Sequence, residues 1–170
     1  SLVGYSPWGR KKSDMTERLS THSTHHIFFI YSSVNGHLHC FHVLVTVKAA
    51  AKHKGMQIID DCYNACEDSI KSALNTLMAT EGERKVAILG DIFQLGTLAE
   101  RVHRSVGSYV GEKDVDLLIA IGENARFYAD EAKKILGDER VKYFVKKEDF
   151  IDVKDDIIKS GDVILLKASL

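Results

Sequence analysis

The sequence predicts an α/β fold: a mainly parallel sheet of five to six strands with helices on both faces, preceded by an irregular N-terminal arm. Three observations carry that prediction. From residue 55 onward, short runs that are apolar at nearly every position alternate with stretches whose apolar residues recur every three to four positions. Strands that are apolar almost throughout and separated by helices belong in a parallel sheet covered on both faces. At 170 residues and 45% hydrophobic content, the chain is long enough to bury one such core.

The elements follow in order. Met56-Gln-Ile-Ile-Asp60 reads as a strand, and residues 68–78 as a helix with Ile70, Ala73, Leu74 and Leu77 on one face. Lys85-Val-Ala-Ile-Leu89 is a second strand, ended by Gly90-Asp91. A helix over 97–110 spaces Leu98, Val102, Val106 and Val110 by fours. Residues 116–121 form a third strand capped by Gly122, and a helix over 124–136 stops at Gly137. Val141-Lys-Tyr-Phe-Val145 is a fourth strand, 147–159 a helix, and Asp162-Val-Ile-Leu-Leu166 a fifth strand. The order βαβαβαβαβ is Rossmann-like, and such sheets bind ligands beyond the carboxyl ends of their strands.

Residues 1–54 show no comparable pattern, and neither a helical face nor a hairpin turn survives a count there. Residues 1–55 hold seven Lys/Arg against two Asp/Glu, whereas 56–170 hold sixteen against twenty-two. Seven of the eight His and the sole Pro and Trp, Pro7 and Trp8, also fall in the first part. This shift places a boundary near Ala49-Ala50-Ala51, between a basic His-rich arm (1–50) and a domain (51–170). A net charge of -1 gives no argument for a nucleic-acid or membrane partner. The apolar runs Ile27-Phe28-Phe29-Ile30-Tyr31 and Val43-Leu44-Val45 are each too short to span a bilayer.

Two carboxylates, Asp60 and Asp61, stand where the first strand of the periodic region gives way to its helix. Successive strand side chains point to opposite faces, so one of the two can face a site at the strand's end. Asp61, nearer the turn, is the candidate, and Asp60 reads as a structural cap. An acidic phosphoacceptor pocket would need an Asp at the end of the third strand, where the chain has Ile121-Gly122; Asp91 ends the second strand instead. No Gly-x-x-x-x-Gly-Lys-Ser/Thr loop exists, so no self-sufficient nucleotide triphosphatase site is present. Cys62 and Cys66 form a Cys-x3-Cys pair without a second pair, a weak pattern for zinc, and plain packing is the reading that accounts for them. His37-Leu-His-Cys-Phe-His42 offers soft ligands, but strand alternation separates His37 and His39 from Cys40 and His42.

Three blocks in residues 55–170 resemble the C-terminal domain of the bacterial muramyl ligases, in the D-alanyl-D-alanine-adding branch. Ile58-Ile-Asp-Asp-Cys-Tyr-Asn-Ala-Cys-Glu-Asp-Ser69 is similar to the family's Asp-Ser/Thr-Tyr-Asn-Ala-Asn-Pro-Asp-Ser turn. Val86-Ala-Ile-Leu-Gly-Asp91 leads through Leu95-Gly96 to His103-Arg-Ser-Val-Gly107 as the second block. Gly161-Asp-Val-Ile-Leu-Leu-Lys-Ala-Ser169 is similar to the family's Gly-Asp-x-Val-Leu-Val-Lys-Gly-Ser ending. Cys66 stands where the family has Asn, Glu67 where it has Pro, Ala168 where it has Gly, and Leu170 where it has Arg.

The resemblance implies a domain that closes over ATP and positions an incoming dipeptide in a cytoplasmic peptidoglycan-precursor ligase. It puts Asp61 on the ATP ribose, Asn64 on the nucleotide side of the turn, and Lys167 with Ser169 on the dipeptide or phosphate side. The intact family enzyme uses ATP and magnesium and joins D-Ala-D-Ala to UDP-N-acetylmuramoyl-tripeptide. The family's UDP-sugar domain, phosphate loop, magnesium-binding Glu and His, and modified Lys have no counterpart here. The expectation is therefore a fragment without activity of its own that holds neither cofactor alone. Residues 1–48 resemble translated interspersed-repeat sequence, which implies a chimeric reading frame. Two other readings stay open: a noncatalytic Rossmann-like module with a decayed site, and a metal-binding His-rich arm.

Overall fold

The computed structural model describes residues 31–34, 37–40, 49–53 and 55–169. A sheet of six strands organises it: β3 (Ala49–His53), β4 (Met56–Asp60), β5 (Arg84–Gly90), β6 (Leu117–Ile121), β7 (Val141–Phe144) and β8 (Asp162–Lys167). Their order across the sheet is β3-β4-β8-β5-β6-β7. β3 runs antiparallel to β4 and every other pairing is parallel. The last strand in sequence thus lies between the first two parallel ones. Ile58 pairs with Ile164 on one side of β8, and Val86 pairs with the same residue on the other.

The helices α1 (Glu67–Ala79), α2 (Ala99–Glu112), α3 (Arg126–Leu136) and α4 (Lys147–Ile157) follow β4, β5, β6 and β7. Strand alternation divides the core in two. Ala87, Leu89, Leu118 and Leu165 point toward the buried faces of α1, α2 and α3. Val86, Ile88, Ile119 and Ile164 point the other way, where Phe150 of α4 packs with Phe144 at a ring separation of 5.6 Å. Helices therefore cover both faces, three on one and one on the other. The expected helix over 97–110 begins with a 3₁₀ turn, Gly96–Leu98, before the α-helix proper.

Before the main sheet, β1 (Tyr31–Val34) and β2 (His37–Cys40) pair antiparallel, Val34 opposite His37. The sequence reading admitted no hairpin in this segment, yet the two residues between these strands are Asn35-Gly36, the strongest short hairpin signal. β3 and β7 form the two edges of the main sheet. Residues 27–30, His42 and the side chains of 37–40 lie outside what the structure describes, and with them the His-rich ligand set.

The closest helix packing is between α2 and α3. A Cβ built on Gly107 meets the Tyr128 carbonyl oxygen at 2.5 Å and its Cα at 2.9 Å. Both atoms are backbone, so no side-chain rotation relieves the contact. Gly107→Ala is expected to destabilise the domain by about 1–3 kcal/mol through overpacking. A urea denaturation midpoint equal to that of the parent chain would show that the two helices can separate without loss.

Candidate functional site

The polar turn after β4 is held from the end of β8. The Asp61 N–H donates to the Leu166 carbonyl at 2.9 Å, and Tyr63 forms a parallel bridge with Ser169, so the turn runs on beside β8. Lys167 is 1% exposed. Its Nζ sits 2.8 Å from Asp61 Oδ2 and donates to the backbone carbonyls of Asp61 at 3.2 Å and Asn64 at 3.0 Å. An ammonium has three protons, and these three acceptors match them. The ion pair engages one carboxylate oxygen of Asp61; Oδ1 takes no partner from the described residues. Asp60 does something different: its Oδ1 accepts the Cys62 N–H at 3.1 Å and shapes the turn locally.

Ser169 joins three segments. Its Oγ lies 3.4 Å from the amides of both Ala65 and Phe93, and its own N–H donates to the Asp91 carbonyl at 3.3 Å. Asp61, Asn64, Lys167 and Ser169 are thus gathered at the carboxyl ends of β4 and β8, although 103 residues separate Asn64 from Lys167. Tyr63 and Phe93, each more than half exposed, come from the two segments that Ser169 ties together. The Ala168 methyl faces the end of β5: a Cβ built on Gly90 would lie 2.7 Å from it.

The task of Asp91 and a neighbouring cleft emerge only in the folded chain. Asp91 accepts the Ala125 N–H at 2.7 Å and the Asn124 N–H at 3.3 Å, and so caps the entry to α3. Gly122 makes room for it, with φ 131° and a built Cβ only 2.3 Å from Asp91 Oδ1. The signal was the Gly-Glu-Asn step after an apolar strand. Beside it, a cleft of about 300 Å³ is lined by Glu123, Asn124, Arg126, Tyr143 and Val145. The Arg126 guanidinium stands 4.6 Å from the Phe127 ring centroid.

His103 is fully buried under the same edge. Its Nε2 accepts the Ile92 N–H at 3.2 Å, so the ring proton is on Nδ1, which donates to the Ala99 carbonyl at 2.7 Å. The ring lies 4.6 Å from that of Tyr128, whose hydroxyl donates to the Gly90 carbonyl at 3.2 Å. Burial holds the imidazole below its usual 6.5, while Ala99 and Asp91 oppose that shift. Burial, with Asp91 second, pushes the Tyr128 phenol well above its ordinary range. Among the described residues no cluster of three or more His, Cys, Asp or Glu could hold a metal ion. Nor is any described helix long and apolar enough to cross a membrane.

A sequence profile of the family described as "Mur ligase, glutamate ligase domain" matches residues 46–170. The chain belongs to this Mur ligase family. Among curated Mur ligases, UDP-N-acetylmuramoyl-tripeptide–D-alanyl-D-alanine ligase of Bacillus subtilis is 34% identical over 116 residues, which are 68% of this chain and 25% of that protein. The Treponema pallidum ligase of the same name is 31% identical over 111 residues, 64% of this chain and 24% of the relative. The fold is that of MurF from Thermotoga maritima, solved in complex with ADP (TM-score 0.57, 23% identity), over 71% of this chain and 26% of that one. MurF from Acinetobacter baumannii matches over the same shares with a TM-score of 0.63 and 22% identity. This Mur ligase domain spans about a quarter of the length of the relatives it matches.

Proposed function

We propose that this chain contributes the nucleotide-closing and dipeptide-positioning domain of an ATP-dependent, D-Ala-D-Ala-adding peptidoglycan-precursor ligase, and that it does not catalyse ligation alone. The observation that carries this reading is the convergence of Asp61, Asn64, Lys167 and Ser169 at the carboxyl ends of β4 and β8, with the second carboxylate oxygen of Asp61 taking no partner among the described residues. That oxygen suits a ribose hydroxyl, and Asn64 stands on the nucleotide side. Lys167 and Ser169 serve the dipeptide or phosphate side, Lys167 by holding the turn from within. Arg126, at the mouth of the neighbouring cleft, offers a cation to a dipeptide carboxylate. The substrates and cytoplasmic setting are those of the family.

Positioning is the catalytic contribution such a domain makes, because fixing amine and acyl group together converts a bimolecular attack into a near-intramolecular one. ATP supplies the phosphoryl group that activates a carboxylate. Asp61 fits one contact to that nucleotide, whereas the described residues offer no carboxylate cluster for its magnesium. The family match from residue 46 and the pairing of β3 with β4 support a domain boundary near residue 50. Ahead of it we place a separate arm of repeat-derived sequence.

Calorimetric titration with ATP and with D-Ala-D-Ala tests the reading. Asp61→Asn is expected to weaken nucleotide binding by roughly 1–3 kcal/mol, the loss on weakening a charged acceptor. Asp60→Asn should leave it unchanged, since Asp60 serves the Cys62 amide. Equal losses in both variants would place the ribose elsewhere. No binding by the parent chain would favour a decayed module, a reading to which the Ala168 methyl beside Gly90 already lends weight.

A further inference from the structure

The segment 91–98 between β5 and α2 contains two residues at positive φ, Gln94 (62°) and Gly96 (53°), and two exposed apolar side chains, Phe93 and Leu98. Ser169 ties it to the polar turn, by way of the Phe93 amide and the Asp91 carbonyl. Its first residue past Asp91 is fixed by a side chain buried beneath it. The Ile92 N–H has no carbonyl partner in the sheet and donates to His103 Nε2 instead.

We propose that His103 is a positioning residue: as a neutral imidazole it latches Ile92, and through it Phe93 and Ser169, against the polar turn, and a second ring proton releases that latch. The chemistry is forced by donor and acceptor count. A protonated ring donates from both nitrogens, so Nε2–H and the Ile92 N–H would face each other across 3.2 Å with no acceptor between them. The Nδ1 side is indifferent, because it donates to Ala99 in either state. The groups that face the ring from other elements are Asp91, from the end of β5, and the Tyr128 phenol, from α3. Asp91 favours the second proton but gives its carboxylate to the amides of Asn124 and Ala125, and Tyr128 gives its hydroxyl to Gly90. Neither is hydrogen-bonded to Nε2, whose partner is the Ile92 N–H, so a proton added there displaces that amide.

The sign follows from burial. The folded ring resists its proton relative to the unfolded chain, so the stability it contributes is full above about 6.5. That contribution falls as the pH drops from there toward the lower folded-state value. Its consequence for ligand contact rests on the function proposed above; the latch itself is read without any ligand. In the full chain, nitrogen NMR of the ring should show the Nδ1–H tautomer at pH near neutrality. Amide protection factors followed downward in pH should fall at Ile92 and Phe93 by about tenfold or more as His103 titrates, while amides of β5 and β6 keep theirs, the mark of a local opening. His103→Asn should lower protection at the same two amides and remove its pH dependence; should that variant not fold, the titration of the parent chain decides alone. Unchanged protection at Ile92 through the ring's titration, or loss at all amides together, would overturn the proposal. Failure of ATP to bind with the latch intact would instead count against the nucleotide reading alone.

Discussion

A chain stopped before Gly161 is expected to lose its cooperative unfolding transition altogether. Only β8 and the residues just beyond it are removed, yet β8 is hydrogen-bonded to β4 on one side and β5 on the other. Val163 and Leu165 are completely buried and Ile164 is nearly so. Each such side chain contributes about 1.5–3 kcal/mol by burial. Together with the lost ladders on both sides, this rivals the roughly 5–15 kcal/mol of an ordinary domain. Deletion of residues 1–54 is the control, since it removes β3, which pairs with β4 alone. That variant should keep a single transition. Circular dichroism with urea reads both. A cooperative transition in the C-terminal truncation would mean that β4 and β5 can pair directly.

Lys167→Met should destabilise the domain by about 3–5 kcal/mol, the usual effect of removing one partner from a buried ion pair. The methionine fills the same space but leaves the Asp61 carboxylate, itself 7% exposed, without its countercharge. Two carbonyls, those of Asp61 and Asn64, also lose a donor. Pairing the change with Asp61→Asn should recover much of the loss, because a neutral pair avoids stranding a charge. Lys167→Arg should not substitute, as a planar five-donor fork does not fit three acceptors grouped around one point. A loss below about 1 kcal/mol in Lys167→Met would show the pair to be solvated like a surface bridge.

The periodic half of the chain was legible because its signals are local. Apolar residues at 56–60, 85–89 and 162–166 made strands, and the fours-spacing of Val102, Val106 and Val110 made a helix, since the side-chain period alone separates the two. Strand alternation at the edge of a turn also separates Asp60, which accepts the Cys62 amide, from Asp61, which pairs with Lys167. The Asn35-Gly36 step was equally local and was passed over.

Strand order was a different matter. Each parallel strand is a similar apolar run, so nothing within 162–167 says that it belongs between β4 and β5; packing of the whole sheet decides that. The insertion of β8 sets the remaining chemistry. It brings the Lys167 ammonium to Asp61, 106 residues earlier, where it serves as the internal countercharge of that carboxylate. It also seats Ser169 between two loops. His103 appeared in the sequence only as part of a motif, and its work on the Ile92 amide depends on a helix packing beneath a strand end. Residue types, periods and the place of the polar turn were thus determined by the sequence itself, because they act over one or two turns of backbone. Which charges meet was decided by the tertiary structure, because pairing between distant strands depends on the stability of the assembled sheet.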